Sequence, residues 1–146
     1  MQPLTLKITP APSSTPLSLT LTLTNPSSTT VTLLTWSTPI DPLALQLGLL
    51  SFTHTKTNTA IPINKIMLKR RTPPSDDQFV TIQPGGSASQ SIAVIPPAVD
   101  LSGLEGERVL VQWAGGDVKV WDGEDVDDWE GGKEVGVVMD GVEVVV

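Results

Sequence analysis

The sequence has no cysteine and a single histidine, His54, among its 146 residues. The lack of cysteine excludes disulfides, zinc–thiolate sites and thiol nucleophiles. A protein zinc site usually needs two or three histidines, and the chain also lacks the G-x-S-x-G motif that presents a serine nucleophile. We therefore expect no enzymatic activity, no metal and no cofactor. We expect His54 to lie on a strand with its side chain facing solvent.

Long hydrophobic runs are also missing. No stretch approaches the roughly 18 apolar residues of a membrane-spanning helix, and the thirteen prolines exclude long helices. The N-terminal sequence has no basic region followed by an unbroken apolar run, as a signal peptide would. We therefore expect no membrane partner and a cytoplasmic location for the sequence as written. Secretion is the alternative if an upstream signal was removed.

Positive charge is scarce and unevenly placed, and the net charge is −7. Residues 1–99 carry six bases against three acids, whereas residues 100–146 carry three bases against thirteen acids. We expect no nucleic acid partner, because phosphate binding needs an extended basic face. Many of the acids lie at 122–130, but their spacing does not fit an EF-hand calcium loop. A solvated acidic loop is favoured there, and an irregular cation site is the alternative.

The most abundant pattern is two-residue alternation of apolar and polar side chains. In PLSLTLTLTN (16–25), leucine alternates with serine and threonine, which predicts a half-buried strand. TVTLLTW (30–36) follows a turn and predicts a strand in a hairpin with the first. Further strands are predicted at 50–55, 59–64, 78–83, 89–95, 108–113, 117–121, 134–139 and 142–146.

Turn residues separate these segments. Asp140 and Gly141, between two valine-rich runs, predict a two-residue hairpin. PLALQLGLL (42–50) predicts a buried loop or a single helical turn. Many short strands with Gly, Pro and Ser between them are typical of an all-β sandwich. We expect one immunoglobulin-like antiparallel β-sandwich domain over 1–146, with seven to nine strands and a C-terminal acidic hairpin region from about residue 100.

Two sequence features suggest contact surfaces. Trp36 and Trp113 end apolar strands and are expected in the core or at its edge. Trp121 and Trp129 flank the acidic loop, where they would either form a platform for a sugar or peptide or fasten the loop to the sandwich.

The second feature is the segment LKRRTPP (68–74), the strongest concentration of positive charge in the chain. It is a dibasic processing site if the protein enters a secretory route. Otherwise it is a charged connection between strands, where cations discourage sheet-to-sheet aggregation, or a binding patch.

An ordered set of short motifs over about 15–95 resembles the N-terminal prodomain of fungal deuterolysin-type (aspzincin) metalloproteases. The motifs are Leu23-Thr24-Asn25, Thr38-Pro39-Ile40-Asp41, Phe52, Lys69-Arg70-Arg71, Pro73-Pro74, Phe79-Val80 and Pro84-Gly85-Gly86. The chain lacks the catalytic domain of that family, and Asn64 or Lys65 stands where its hairpin glycine is expected. The similarity is loose beyond residue 100.

Family prodomains assist folding of their protease and hold it inactive, so the resemblance implies a non-enzymatic binding module, a protease inhibitor or a folding chaperone, with a metalloprotease as partner. The alternatives are a structural β-protein that self-associates through edge strands at 134–146 and a carbohydrate-binding module. The residues predicted to bind a partner are Lys69, Arg70, Arg71, Pro73 and Pro74, followed by Trp121 and Trp129.

Overall fold

A computed structural model describes residues 2–11 and 16–146, and in this part of the chain almost all regular structure is β-strand. The one helical segment there is a 3₁₀ turn at Asp76–Gln78, so the described residues include no helix that could cross a membrane. The strands are β1 (Leu4–Pro10), β2 (Ser18–Thr24), β3 (Val31–Leu34), β4 (Leu50–His54), β5 (Thr59–Ala60), β6 (Phe79–Ile82), β7 (Ser87–Ala93), β8 (Arg108–Trp113), β9 (Val118–Asp122), β10 (Lys133–Val135), β11 (Val137–Val138) and β12 (Val142–Val145).

The strands form three four-stranded sheets. The first has the order β11-β1-β2-β7, the second β10-β9-β3-β6 and the third β12-β8-β4-β5. The pairing of β1 with β11 is parallel, whereas the other strand pairs are antiparallel. One hydrophobic cluster draws side chains from all three sheets. The predicted all-β sandwich is therefore confirmed.

Alternation in β2 shows why these residues form a sheet with one dry face. Leu19, Leu21 and Leu23 are each 0 % exposed, while the serine and threonines between them are half-exposed. Thr20 and Ser91 pair through their hydroxyls across β2 and β7 at 3.0 Å. The apolar face supplies the burial free energy, and the hydroxyl face remains compatible with water.

Both predicted hairpins are wrong. β2 pairs with β1 and β7, and β3 pairs with β6 and β9, so the turn after β2 carries the chain from one sheet to another. The buried side chain of Asn25 shapes this corner, since its amide donates to the Thr29 and Ile82 carbonyls. At Asp140–Gly141 the chain likewise makes no hairpin, because β11 pairs with β1 and β12 with β8.

The C-terminal strands share one neighbouring segment. Lys133 pairs with Val120 in β9 and Val142 pairs with Val111 in β8, so β10 and β12 keep the same register against 108–122. Between them, β11 pairs with β1. Residues 133–145 therefore supply one edge strand to each of the three sheets. The acidic loop joins the antiparallel strands β9 and β10, which agrees with the predicted acidic hairpin region.

Several details depart from the expected elements. The twelve strands exceed the seven to nine expected, partly because β1 was not predicted and because the 134–139 run divides at Gly136. The predicted strand at 59–64 is limited to Thr59–Ala60. Residues 42–48 form successive turns that bury Ala44 and Leu45, which confirms a buried loop.

Replacing Leu21 with alanine tests the buried face of β2. Leu21 has no exposed surface, so we expect the free energy of unfolding to fall by about 2–5 kcal/mol. Thr22→Ala on the opposite face is the control, with an expected change below about 1 kcal/mol. Urea denaturation measures both variants, and equal losses would contradict the assigned faces.

Candidate functional site

Residues 64–75, which we call the strap, cross the surface without helix or strand. The Asn64 N–H donates to the Ala98 carbonyl at 2.8 Å, and the Ile66 N–H donates to the Gln46 carbonyl at 2.9 Å. The strap then leads through the 3₁₀ turn into β6. The predicted interpretation of LKRRTPP as a connection inside the sandwich is therefore confirmed.

Arg70 fixes the middle of the strap to the fold. Its Nη2 donates to Asp41 Oδ2 at 2.5 Å, and the Asp41 side chain is 0 % exposed. The backbone N–H groups of Ser37 and Leu43 donate to the same carboxylate at 2.8 and 2.9 Å. The guanidinium lies 5.4 Å from the centre of the Trp36 ring, within cation–π distance.

This geometry gives Arg70 a structural role, and the partner contact predicted for it stays a prediction. A carboxylate removed from water is stable only when a cation and hydrogen-bond donors compensate it. Arg70 is the cation that pairs with Asp41. The charge of Arg70 is therefore neutralised inside the fold and not by the acidic residues of the C-terminal third. Sequence reasoning missed this pair, although Asp41 is the only acid before Asp76 and so stands out among the bases of that region.

The neighbours of Arg70 face solvent. Lys69 and Arg71 are exposed, and neither forms an ion pair with any residue that the structure describes. Ile66 and Leu68 are 44 % and 43 % exposed, and Met67 is fully exposed. The strap therefore presents three consecutive apolar side chains beside two unpaired cations.

The four tryptophans separate into different roles. Trp113 is half-buried and packs against the core, as expected. Trp36 is half-buried outside the core cluster, and its Nε1 donates to Gln78 Oε1 at 3.0 Å. Trp121 is only 9 % exposed, and its Nε1 donates to the Asp128 carbonyl at 3.0 Å. Trp129 is partly exposed and meets Trp36 edge-to-face, with ring centres 6.4 Å apart. The two-tryptophan platform is therefore not formed, because Trp121 fastens the acidic loop and only Trp129 offers surface to a ligand.

The acidic loop after β9 lies over the outer face of the second sheet. Thr32 Oγ1 donates to the Gly123 carbonyl at 2.7 Å, and Lys133 Nζ pairs with Asp122 Oδ2 at 2.8 Å. Gly132 has a φ of +93°, and a Cβ there would lie 2.9 Å from atoms of Lys119 and the Trp121 ring, so this position requires glycine. Among the described residues, no three His, Cys, Asp or Glu side chains converge as metal ligands would.

Two clefts of opposite charge lie on either side of the prolines. The basic cleft, about 220 Å³, is lined by Trp36, Arg70, Arg71, Pro73, Ser75 and Gln78. The acidic cleft, about 470 Å³, is lined by Thr32, Pro74, Asp76, Phe79, Thr81, Glu124, Asp125, Val126, Asp127 and Trp129. On this face of the fold, the predicted contact residues Arg70, Arg71, Pro73, Pro74 and Trp129 line the two clefts, whereas Lys69 and Trp121 line neither.

His54 lies away from this face and is not solvent-facing as predicted, since only 16 % of its side chain is exposed. Its Nδ1 is 3.0 Å from Thr57 Oγ1, and its Nε2 is 3.7 Å from Glu107 Oε2. The loops around β4 cover the ring, which the period-two pattern of one strand could not predict.

Removing the charge of Arg70 tests the strap attachment. Arg70→Ala leaves Asp41 buried with two amide donors, so we expect a loss of about 2–3 kcal/mol in the free energy of unfolding at neutral pH, just below the usual cost of unpairing a buried charge. Arg71→Ala removes the adjacent exposed cation and is expected to change stability by less than about 0.5 kcal/mol. Denaturant unfolding compares them, and a silent Arg70→Ala would exclude a structural role for the pair.

Ser75, at the end of the strap, also lowers the pKa of the Asp77 carboxyl group. The Ser75 hydroxyl and, more weakly, the Gln78 amide donate to the Asp77 carboxylate and hold its pKa below the ordinary 3.8. This interaction favours the folded state above the unfolded pKa, and the benefit is lost as the pH falls. In Ser75→Ala we expect the pKa of Asp77 to rise, measured by NMR titration. The pKa of Asp100, which Ser102 lowers, should not move.

A protein of the fungus Arthroderma benhamiae, described as an uncharacterized secreted protein, is 35 % identical over 63 residues, which make up 43 % of this chain and 32 % of that protein. The aligned residues thus span about a third of that relative. Residues 3–133 match the immunoglobulin-like domain family. Since this match covers most of the chain and the strands form a β-sandwich, the chain belongs to the immunoglobulin-like domain family.

Proposed function

We propose that the chain is a non-enzymatic binding module of a secreted protein and that the strap is its contact surface. The observation that carries the proposal is the Arg70–Asp41 ion pair beneath a strap that leaves Met67 fully exposed. Contiguous exposed apolar side chains are a feature of interaction sites, whereas apolar side chains scattered singly are normal on any protein surface. The buried ion pair holds the segment in one place, which lowers the entropy lost on binding.

Composition and similarity support the remaining parts of the proposal. The chain has one histidine, which is mostly covered, and no cysteine, so two side chains that often serve in general acid–base and nucleophilic catalysis are scarce or missing. The Arthroderma relative is described as secreted, and we extend that location to this chain.

We further propose a deuterolysin-type metalloprotease as the partner, on the strength of the prodomain resemblance. A protease cleft commonly binds an extended segment as an added strand through its backbone. Residues 66–71 have no helix or sheet partner to give up before such binding. The module would then act as an inhibitor or as a folding chaperone of the protease.

The test is a titration of a deuterolysin-type zinc protease with the purified protein. We expect the protein to slow cleavage of an unfolded protein substrate and the double variant Lys69→Glu/Arg71→Glu to need at least about tenfold more protein for the same effect. Lys7→Glu/Lys56→Glu, which changes the net charge equally at exposed positions elsewhere, should behave as wild type. If the protease is unaffected and does not bind the wild type, the protease proposal fails.

Self-association through edge strands is the second candidate. Val138 in β11 and Val145 in β12 are 52 % and 63 % exposed on strands at sheet edges. Deleting 134–146 would not test this idea, because it also removes the buried Val135 and Val144 from the core. Val138→Lys/Val145→Lys changes only exposed positions and is the appropriate variant.

A further inference from the structure

Residues 66–71 of the strap and the acidic cleft are complementary in charge. The cleft is lined by the apolar side chains of Phe79, Val126 and Trp129 and by four acidic residues, Asp76, Glu124, Asp125 and Asp127. A ligand for it would be extended, with apolar side chains to contact the first group and cations to pair with the second. Residues 66–71, IMLKRR, have this composition and are exposed.

Within one copy the strap touches this cleft through Pro74 alone, and its apolar and basic residues stay outside it. None of residues 66–71 lines it, and the nearest strap residue in its wall is Pro74. Arg70 is held on Asp41 and Trp36, which fixes the strap beside the cleft and not inside it. The complementary surfaces of one copy therefore remain unpaired.

We propose that the strap of one copy occupies the acidic cleft of a second copy, in a two-fold symmetric dimer. This inference rests on the proposed function in one respect, that the strap is the contact surface, and concerns what binds it when the protein is alone. Pro73 lines the basic cleft and Pro74 the acidic cleft, so donor and acceptor surfaces lie side by side on one face. A two-fold axis between them brings each strap to the other copy's cleft, and both contacts form together.

Residue chemistry indicates which contacts are made. Met67, fully exposed in the single copy, would cover the Trp129 and Val126 side chains of the second copy, and Lys69 and Arg71 would face Asp125 and Asp127. Strap and cleft together comprise roughly twenty residues, near the lower limit of a standard interface. We therefore expect a reversible dimer that weakens as salt screens the charge pairs.

A charge exchange tests the dimer directly. The strap variant is Lys69→Glu/Arg71→Glu, and the cleft variant is Asp125→Lys/Asp127→Lys; all four residues are exposed, and none forms an ion pair in the described part of the chain. Sedimentation equilibrium between roughly 1 µM and 1 mM measures self-association. We expect the wild type to dimerise and each variant alone to dimerise at least about tenfold more weakly.

An equimolar mixture of the two variants is the decisive sample. In a symmetric pair both contacts regain opposite charges, so we expect the mixture to form a heterodimer of about wild-type affinity. A wild type that stays monomeric throughout the range, variants that dimerise like wild type, or a mixture that fails to associate would each overturn the inference. So would a dimer that only Val138→Lys/Val145→Lys disrupts, which would assign association to the edge strands.

These outcomes are separate from the test of the proposed function. If the wild type is monomeric but its strap variant loses protease inhibition, the strap remains the contact surface and only the dimer is excluded. If the charge exchange succeeds and no protease is inhibited, the dimer stands and the protease partner is excluded.

Discussion

The buried carboxylate of Asp41 is the constraint on which the candidate site depends. A charge with no solvent contact would destabilise the fold by several kcal/mol without compensation, and here two backbone N–H groups and the Arg70 guanidinium provide it. Satisfying the carboxylate shapes the turns around 37–43 and fixes the strap. The guanidinium covers the Trp36 ring, and Trp129 packs against the same ring, so strap and acidic loop meet at one place.

The immunoglobulin-like sandwich provides a rigid support for this arrangement, whereas its loops provide the side chains of the candidate site. The sheets bury alternate side chains in a dry core, and residues 133–145 close an edge of each sheet. Two segments outside the sheets, the strap and the acidic loop, hold the three consecutive exposed apolar side chains 66–68 and the charged residues of the two clefts. Such a division is common in β-sandwiches, since loops can vary without disturbing the core.

Individual strands were predictable because their signal is local. β8 has the predicted bounds, and β2 and β4 lie within a residue or two of theirs, since period-two alternation reports which side chains face the core. Strand pairing was not predictable from turn residues. Asp140 and Gly141 permit a reversal, but the valines on both sides pair with β1 and β8, where Val144 is buried in the core.

The sequence by itself determined the all-β class, the buried face of β2 and the clustering of cations at 69–71. Only the tertiary structure decided that Arg70 pairs with Asp41, 29 residues away, while Lys69 and Arg71 stay in solvent. It also decided that Trp121 is covered and Trp129 is not. The physical reason is that ion pairing and burial depend on distances between segments remote in sequence, and a local pattern carries no information on those distances.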